Sequence, residues 1–267
     1  MSSGGGTHMP KEPDRSWPAR LWLARHGQSA GNVARDAAYA AGSPRIDIAQ
    51  RDVDVPLSPL GETQAAALGL WFAERRPEER PEVVLSSPYV RAIRTAQIIR
   101  EQGGLSEDSA AFVIDERLRE REFGILDRLT RLGIEQLHPE QAEIRRILGK
   151  FYHRPPGGES WCDVILRLRS ALDTLSLHHC GKRVLIVAHE VVILCFRYLI
   201  EEMTEAQVLK ISAEGDVANC GLTEYVCESS DGRIARALRL VNFNFTVPLE
   251  RENAPVTTAP DVKAPAP

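Results

Sequence analysis

The chain has 267 residues, 33 basic and 37 acidic side chains, a formal charge of −4, and 43% hydrophobic against 26% charged residues. This composition excludes an intrinsically disordered chain and leaves room for one large α/β domain or two small ones. The slight acidic balance also argues against a nucleic-acid partner, which selects a basic surplus. Positive charge is mostly arginine, 28 Arg against 5 Lys, so a lone arginine identifies nothing without a motif around it.

Residues 1–17 are polar and rich in Gly, Ser and Pro, with no apolar stretch of the kind a secretory leader needs, and are expected to form a disordered tail. The most apolar stretch, Val184 to Leu194, is broken by His189 and Glu190. It falls short of the ~20 residues a membrane span requires, so no membrane partner is expected. The five cysteines are odd in number and lack a Cys-x-x-Cys pair, which reads as buried free thiols in a cytoplasmic protein. No repeat or linker interrupts the middle, so one domain is expected over 18–249, followed by a disordered Ala/Pro-rich tail at 250–267.

In chain order, Leu21–Ala24 is a short apolar run ending at Arg25-His26-Gly27. Ser58 then offers an N-cap with Pro59 at the first helical position, and Pro77 closes that helix. Val83–Leu85 is a second apolar run, and Tyr89, Ala92, Ile93, Ala96 and Ile99 follow helical spacing. Ala111–Ile114 is a third run. A helix follows from Trp161 through Leu175, capped by Ser160 with Asp163 three residues on. Val184–Ala188 is the fourth run, and Leu222–Cys227 with Ile234–Val241 reads as an antiparallel hairpin. Continuous apolar runs suit strands buried on both faces of a sheet. The alternation with helices predicts a three-layer α/β/α sandwich with a mostly parallel central sheet and an antiparallel edge hairpin.

Ligands of such sheets bind beyond the carboxyl ends of the strands. There the four runs lead to Arg25 and His26, to Arg91, to Glu120 and to His189. Arginines bind phosphate oxygens, an imidazole can attack phosphorus, and a carboxyl group can protonate a leaving oxygen.

Arg25-His26-Gly-Gln-Ser29-Ala-Gly-Asn32 resembles the Arg-His-Gly-x-Thr/Ser-x-x-Asn signature of the histidine phosphatase superfamily, the phosphoglycerate-mutase-like fold. Asp54-Val-Pro-Leu-Ser58-Pro-Leu-Gly61, Ser86-Ser87-Pro-Tyr-Val-Arg91-Ala92, Leu118-Arg-Glu120-Arg-Glu-Phe-Gly124 and Ala188-His189 are similar, in order, to its further segments. The resemblance implies that His26 is the nucleophile of a phosphohistidine route. It implies that Arg25, Arg91 and His189 clamp the phosphoryl oxygens, that Ser29 and Asn32 donate to them, and that Glu120 is the proton donor. No metal and no cofactor are implied, and the implied partner is a small phosphorylated substrate.

Departures and rivals are specific. Glu190 stands where the family has Gly, and Gly124-Ile-Leu-Asp127 lacks the usual aromatic-Glu-Gly ending. Glu122 is a rival acid, and Gly27-Gln-Ser29-Ala-Gly31 also fits the nucleophile elbow of a serine hydrolase. Asp52 and Asp54 read as solvated loop carboxylates rather than metal ligands. Residues 125–160 are expected to form the lid, with Arg154, Lys150 and His153 candidate substrate contacts against the plainer reading of helix-surface charge. The short lid and its Arg154-Pro-Pro-Gly-Gly-Glu159-Ser160 ending look like the broad-range acid phosphatases of the superfamily. Phosphoglycerate mutase-type transfer is the alternative, and an inactive phosphate-binding module the third reading. The insert 35–54 is a candidate flap or homodimer contact.

Overall fold

A computed structural model describes residues 17–227 and 237–258. The strands are β1 (Arg20–Arg25), β2 (Val83–Ser86), β3 (Ala111–Ile114), β4 (Arg183–Ala188), β5 (Leu222–Cys227) and β6 (Leu238–Phe245), in the sheet order β3-β2-β4-β1-β5-β6. The first four are mutually parallel, while β5 and β6 run antiparallel at the far edge.

Two-residue alternation on β1 builds the three layers. Leu21 and Leu23 enter one core with Val164, Leu168 and Leu172 of α6 (Trp161–His178) and Val192 and Phe196 of α7 (Glu190–Ile200). Trp22 and Ala24 enter the opposite core with Leu68 and Phe72 of α2 (Pro59–Ala73) and Ala96 and Ile99 of α3 (Val90–Gly103). Each fully buried large side chain contributes about 1.5–3 kcal/mol, so these two cores carry the fold. Trp22 packs edge-on against Phe72 at 5.3 Å.

The expected caps form. The Ser58 hydroxyl accepts from Gly61 N, and Ser160 and Asp163 make a reciprocal capping box at the start of α6. Four expectations are corrected. β3 is an edge strand rather than a buried one, leaving Val113 and Ile114 46% and 50% exposed. The hairpin's second strand is Leu238–Phe245, and residues 234–236 of the expected strand lie outside the described residues. Trp17 packs against a core and accepts from Gly181 N, so it belongs to the folded part. The C-terminal boundary also moves: beyond the short helix Val247–Arg251, Ala254 is buried and Asn219 N donates to Thr257 O. Residues 1–16 and 259–267 of the expected tails lie outside the described residues. Two of the five cysteines, Cys195 and Cys220, are buried, while Cys180 is exposed.

Candidate active site

The register of the central strands assembles the site. β1 and β4 pair with Arg25 opposite Ala188, so the next residues, His26 and His189, leave the sheet side by side. His26 N donates to Ala188 O at 2.9 Å, and the two rings lie 5.1 Å apart, both fully buried. β2 pairs with β4 up to Ser86 opposite Val187, which brings Ser87 to His189, with Oγ 2.7 Å from Nε2. Arg91 follows in the first turn of α3, and Glu120 after a short helical turn beyond β3.

The loop after β1 is packed backbone to backbone. A Cβ at Gly27 would lie 2.4 Å from Gly61 O, so this approach admits only glycine. Ser58 N donates to Gln28 O and Ala30 N to Pro56 O. The 54–61 segment therefore works as a clamp on the His26 loop. α1 (Ala30–Ala40) starts with Ser29 as its cap, Asn32 completing a capping box. Ser29 Oγ donates to Asn32 Oδ1 at 3.1 Å and accepts from Asn32 N, which engages the hydroxyl the serine-hydrolase reading would need.

Hydrogen bonds fix the tautomer of His26. Nδ1 sits 2.7 Å from Gly27 O, a carbonyl that can only accept, so Nδ1 carries the proton. Nε2 accepts from Arg91 Nε at 3.3 Å and so presents a lone pair beside a guanidinium. Glu120 is fully buried, with Oε1 accepting from Arg121 N at 2.7 Å and Oε2 3.7 Å from His189 Nδ1. Glu122 is exposed and bonded to Tyr89 Oη, so Glu120 is the carboxylate placed with the histidines. The Phe123-Gly124 offset has a physical basis. Gly124 has φ +55°, and a Cβ there would lie 2.1 Å from Pro156 O.

A cleft of about 70 Å³ opens over this set, bordered by Ser29, Asn32, Arg91 and Glu120, with walls from 46–55 and 123–129. His26 and His189 are not part of that lining; both are buried and reach it through Arg91 and Glu120. The insert 35–54 thus forms a cleft wall, tied to the lid by Ile46 N to Arg128 O and Thr130 N to Pro44 O. Only residues 126–129 of the expected 125–160 lid reach the cleft. α4 (Arg131–Leu137) and α5 (Pro139–Tyr152) supply none of its lining.

Other expectations change. Arg154 is 63% exposed and donates to Asp163, Nε to Oδ2 at 2.7 Å, so it holds the start of α6 instead of reaching the cleft. Lys150 lies over the Trp161 ring and donates to Ser212 Oγ. His153 is buried away from the cleft, its pKa pushed down to about 4 by burial and by the nearby Arg145 and Arg121. Asp52 is no solvated carboxylate: Oδ1 lies 3.0 Å and Oδ2 3.2 Å from the Arg91 guanidinium, and its backbone carbonyl accepts a third bond at 2.6 Å. Glu190 is buried, its Oε2 3.7 Å from Arg25 Nη1, while that guanidinium also donates to Val217 O at 2.6 Å. Among the described residues no three His, Cys, Asp or Glu side chains converge to hold a metal ion. Nor is any described helix long and apolar enough to cross a membrane.

Sequence reasoning missed Asn219, whose Nδ2 donates to His26 O at 3.1 Å, and Thr95, whose hydroxyl accepts from Gly27 N. It gave Glu159 only as part of the lid ending, whereas that residue holds the acid loop. Its carboxylate pairs with Arg119 and Arg167 and accepts from Glu122 N. Burial would raise the Glu159 pKa, yet these partners, Arg167 foremost, hold it below the usual carboxylate range.

A buried histidine with a lone pair facing an arginine, at the carboxyl edge of a parallel sheet and next to a second histidine and a carboxyl group, is an arrangement able to bind and accept a phosphoryl group. The sequence profile of the histidine phosphatase superfamily (branch 1) matches residues 21–238, and the chain belongs to that superfamily. It is 32% identical over 178 residues to a Yersinia enterocolitica protein named "Probable phosphoglycerate mutase GpmB", covering 66% of this chain and 72% of that one. Among solved structures, a mycobacterial glucosyl-3-phosphoglycerate phosphatase in complex with VO3 is 26% identical with a TM-score of 0.61, covering 85% and 99% of the two chains. Bacillus stearothermophilus YhfR is 25% identical with a TM-score of 0.65, covering 85% and 96%.

Proposed function

We propose that the chain is a phosphomonoester hydrolase that acts on small phosphorylated metabolites through a phosphohistidine at His26. The observation that carries this reading is the Nε2 lone pair of His26, fixed by the Nδ1 bond to Gly27 O and aimed at the Arg91 guanidinium. In the first half-reaction Nε2 attacks phosphorus and the bond to the ester oxygen breaks. The departing alkoxide takes the proton of the Glu120 carboxyl. In the second, water gives a proton to the Glu120 carboxylate and attacks phosphorus. The P–N bond then breaks and His26 is restored.

Arg91 and Arg25, as preorganised cations, stabilise the equatorial charge together with the imidazole of His189. Ser29 and Asn32 meet the phosphate at the start of α1, where helix geometry favours anions. The Asp52 carboxylate holds the two terminal nitrogens of Arg91, so the phosphate meets Arg91 through the Nε that faces His26.

Hydrolysis is favoured over mutase chemistry by the short segment between Glu120 and the Gly158-Glu159-Ser160 ending, and by the likeness to the mycobacterial phosphatase. A mutase must keep water from its phosphohistidine, whereas a phosphatase must admit it. The test is phosphate release from p-nitrophenyl phosphate, 3-phosphoglycerate and alkyl phosphates in EDTA across pH 5 to 8. Metal-free turnover is expected. Faster interconversion of phosphoglycerates than release of phosphate, after priming with 2,3-bisphosphoglycerate, would make the mutase reading correct. Phosphate binding with no turnover would make the chain a binding module.

A further inference from the structure

Arg35 lies one turn beyond Asn32 on α1 and lines the same cleft. Residues three apart share a helix face, with about 5–6 Å between their Cβ atoms, so both look toward one bound molecule. Arg35 is only 4% exposed. Its Nη2 pairs with Asp36 at 3.1 Å, and its guanidinium lies 5.9 Å from the Tyr39 ring. Nε and Nη1 are both buried and have no hydrogen-bond partner. Folding has thus placed a cation in an apolar wall with two donors unsatisfied, an arrangement that costs stability. Such a cost is typical of a site kept for a ligand.

The geometry points to Arg35 as a second anion subsite, so that the substrate of this chain is a phosphomonoester bearing a further carboxylate or phosphate group. The inference rests on the phosphomonoester reading for the position of the first phosphate. Ile46, Ile48, Val55 and Leu129 line the same cleft, which suits a short apolar spacer between the two anionic ends. Three acidic side chains line the cleft: Glu120 accepts from Arg121 N and lies 3.7 Å from His189, and the other two are Asp52 and Asp127. Asp52 holds Arg91, and Asp127, 3.7 Å from Arg128, is pushed above the usual carboxylate range by burial and by Asp52. Neither opposes a second anion at Arg35.

Titration calorimetry with non-hydrolysable phosphonates tests this independently of turnover. The probes are phenylphosphonate, 4-carboxyphenylphosphonate and benzene-1,4-diphosphonate. The full-length protein should bind at least one dianionic-ended probe about tenfold or more tightly than phenylphosphonate, the margin of a charge-assisted contact. The probe with the larger margin identifies carboxylate or phosphate as the group. In Arg35→Gln that preference should vanish, and Arg35→Lys should restore part of it. Arg35→Gln should melt at or above the wild-type temperature, which separates lost recognition from lost folding. An unchanged preference in Arg35→Gln, or no preference in the wild type, overturns the inference. If the preference holds but no ester is hydrolysed, only the hydrolase reading fails. If no phosphonate binds, both fail.

Discussion

Replacing His26 by alanine should lower phosphate release by about 10⁴- to 10⁶-fold, the loss typical of removing a covalent nucleophile. The ring sits between Gly27 O and Arg91 and lies beside His189, so no other nucleophile occupies its place. Arg25, Arg91, Ser29 and Asn32 remain, so inorganic phosphate should still bind. The pairing of lost turnover with retained phosphate binding is the signature. Steady-state release of phosphate and calorimetric phosphate binding check it. Activity within about tenfold of wild type would remove His26 from the chemistry.

Glu120→Gln should cost about 10²- to 10⁴-fold with alkyl phosphates, the range of general acid–base catalysis. Its effect on p-nitrophenyl phosphate should be much smaller, because nitrophenolate leaves without being protonated. Glutamine keeps the acceptor for Arg121 N but offers no acidic proton beside His189. Dependence on the leaving group therefore separates proton donation from positioning. Glu122→Gln, altering an exposed residue, should show no such dependence. Equal losses on both substrates for Glu120→Gln would assign Glu120 a structural role instead.

How much the sequence revealed follows from how local each signal is. His26 and His189 could be read because each directly follows an apolar strand, and parallel pairing of two such strands makes them neighbours. The Ser160–Asp163 cap is equally local, being one helical turn. The pairing of Arg154 with Asp163, which also caps α6, is not legible in a Gly/Pro-rich segment. The position of β3 was misread because strand order is set by distant pairings, and an edge strand can be as apolar as a central one.

The missed contacts join residues that no shared motif links. Asn219 reaches His26 across 193 positions, and Asp52 reaches Arg91 across 39. Neither sits in a pattern that marks it. Asp52 in particular looks like any loop carboxylate until the 3₁₀ turn at 52–54 is placed over α3. Arg35 was hidden by the arginine-rich composition and is distinguished only by its burial and its unsatisfied nitrogens.

The most direct test of the account is to trap the phosphoenzyme. Wild-type protein mixed with a saturating ester, quenched in base within the first turnover and digested should carry phosphate on the peptide containing His26, bonded through Nε2. The label should be acid-labile and absent from His26→Ala. Phosphate on Ser29, or turnover with no phosphorylated His26 at any quench time, would contradict it.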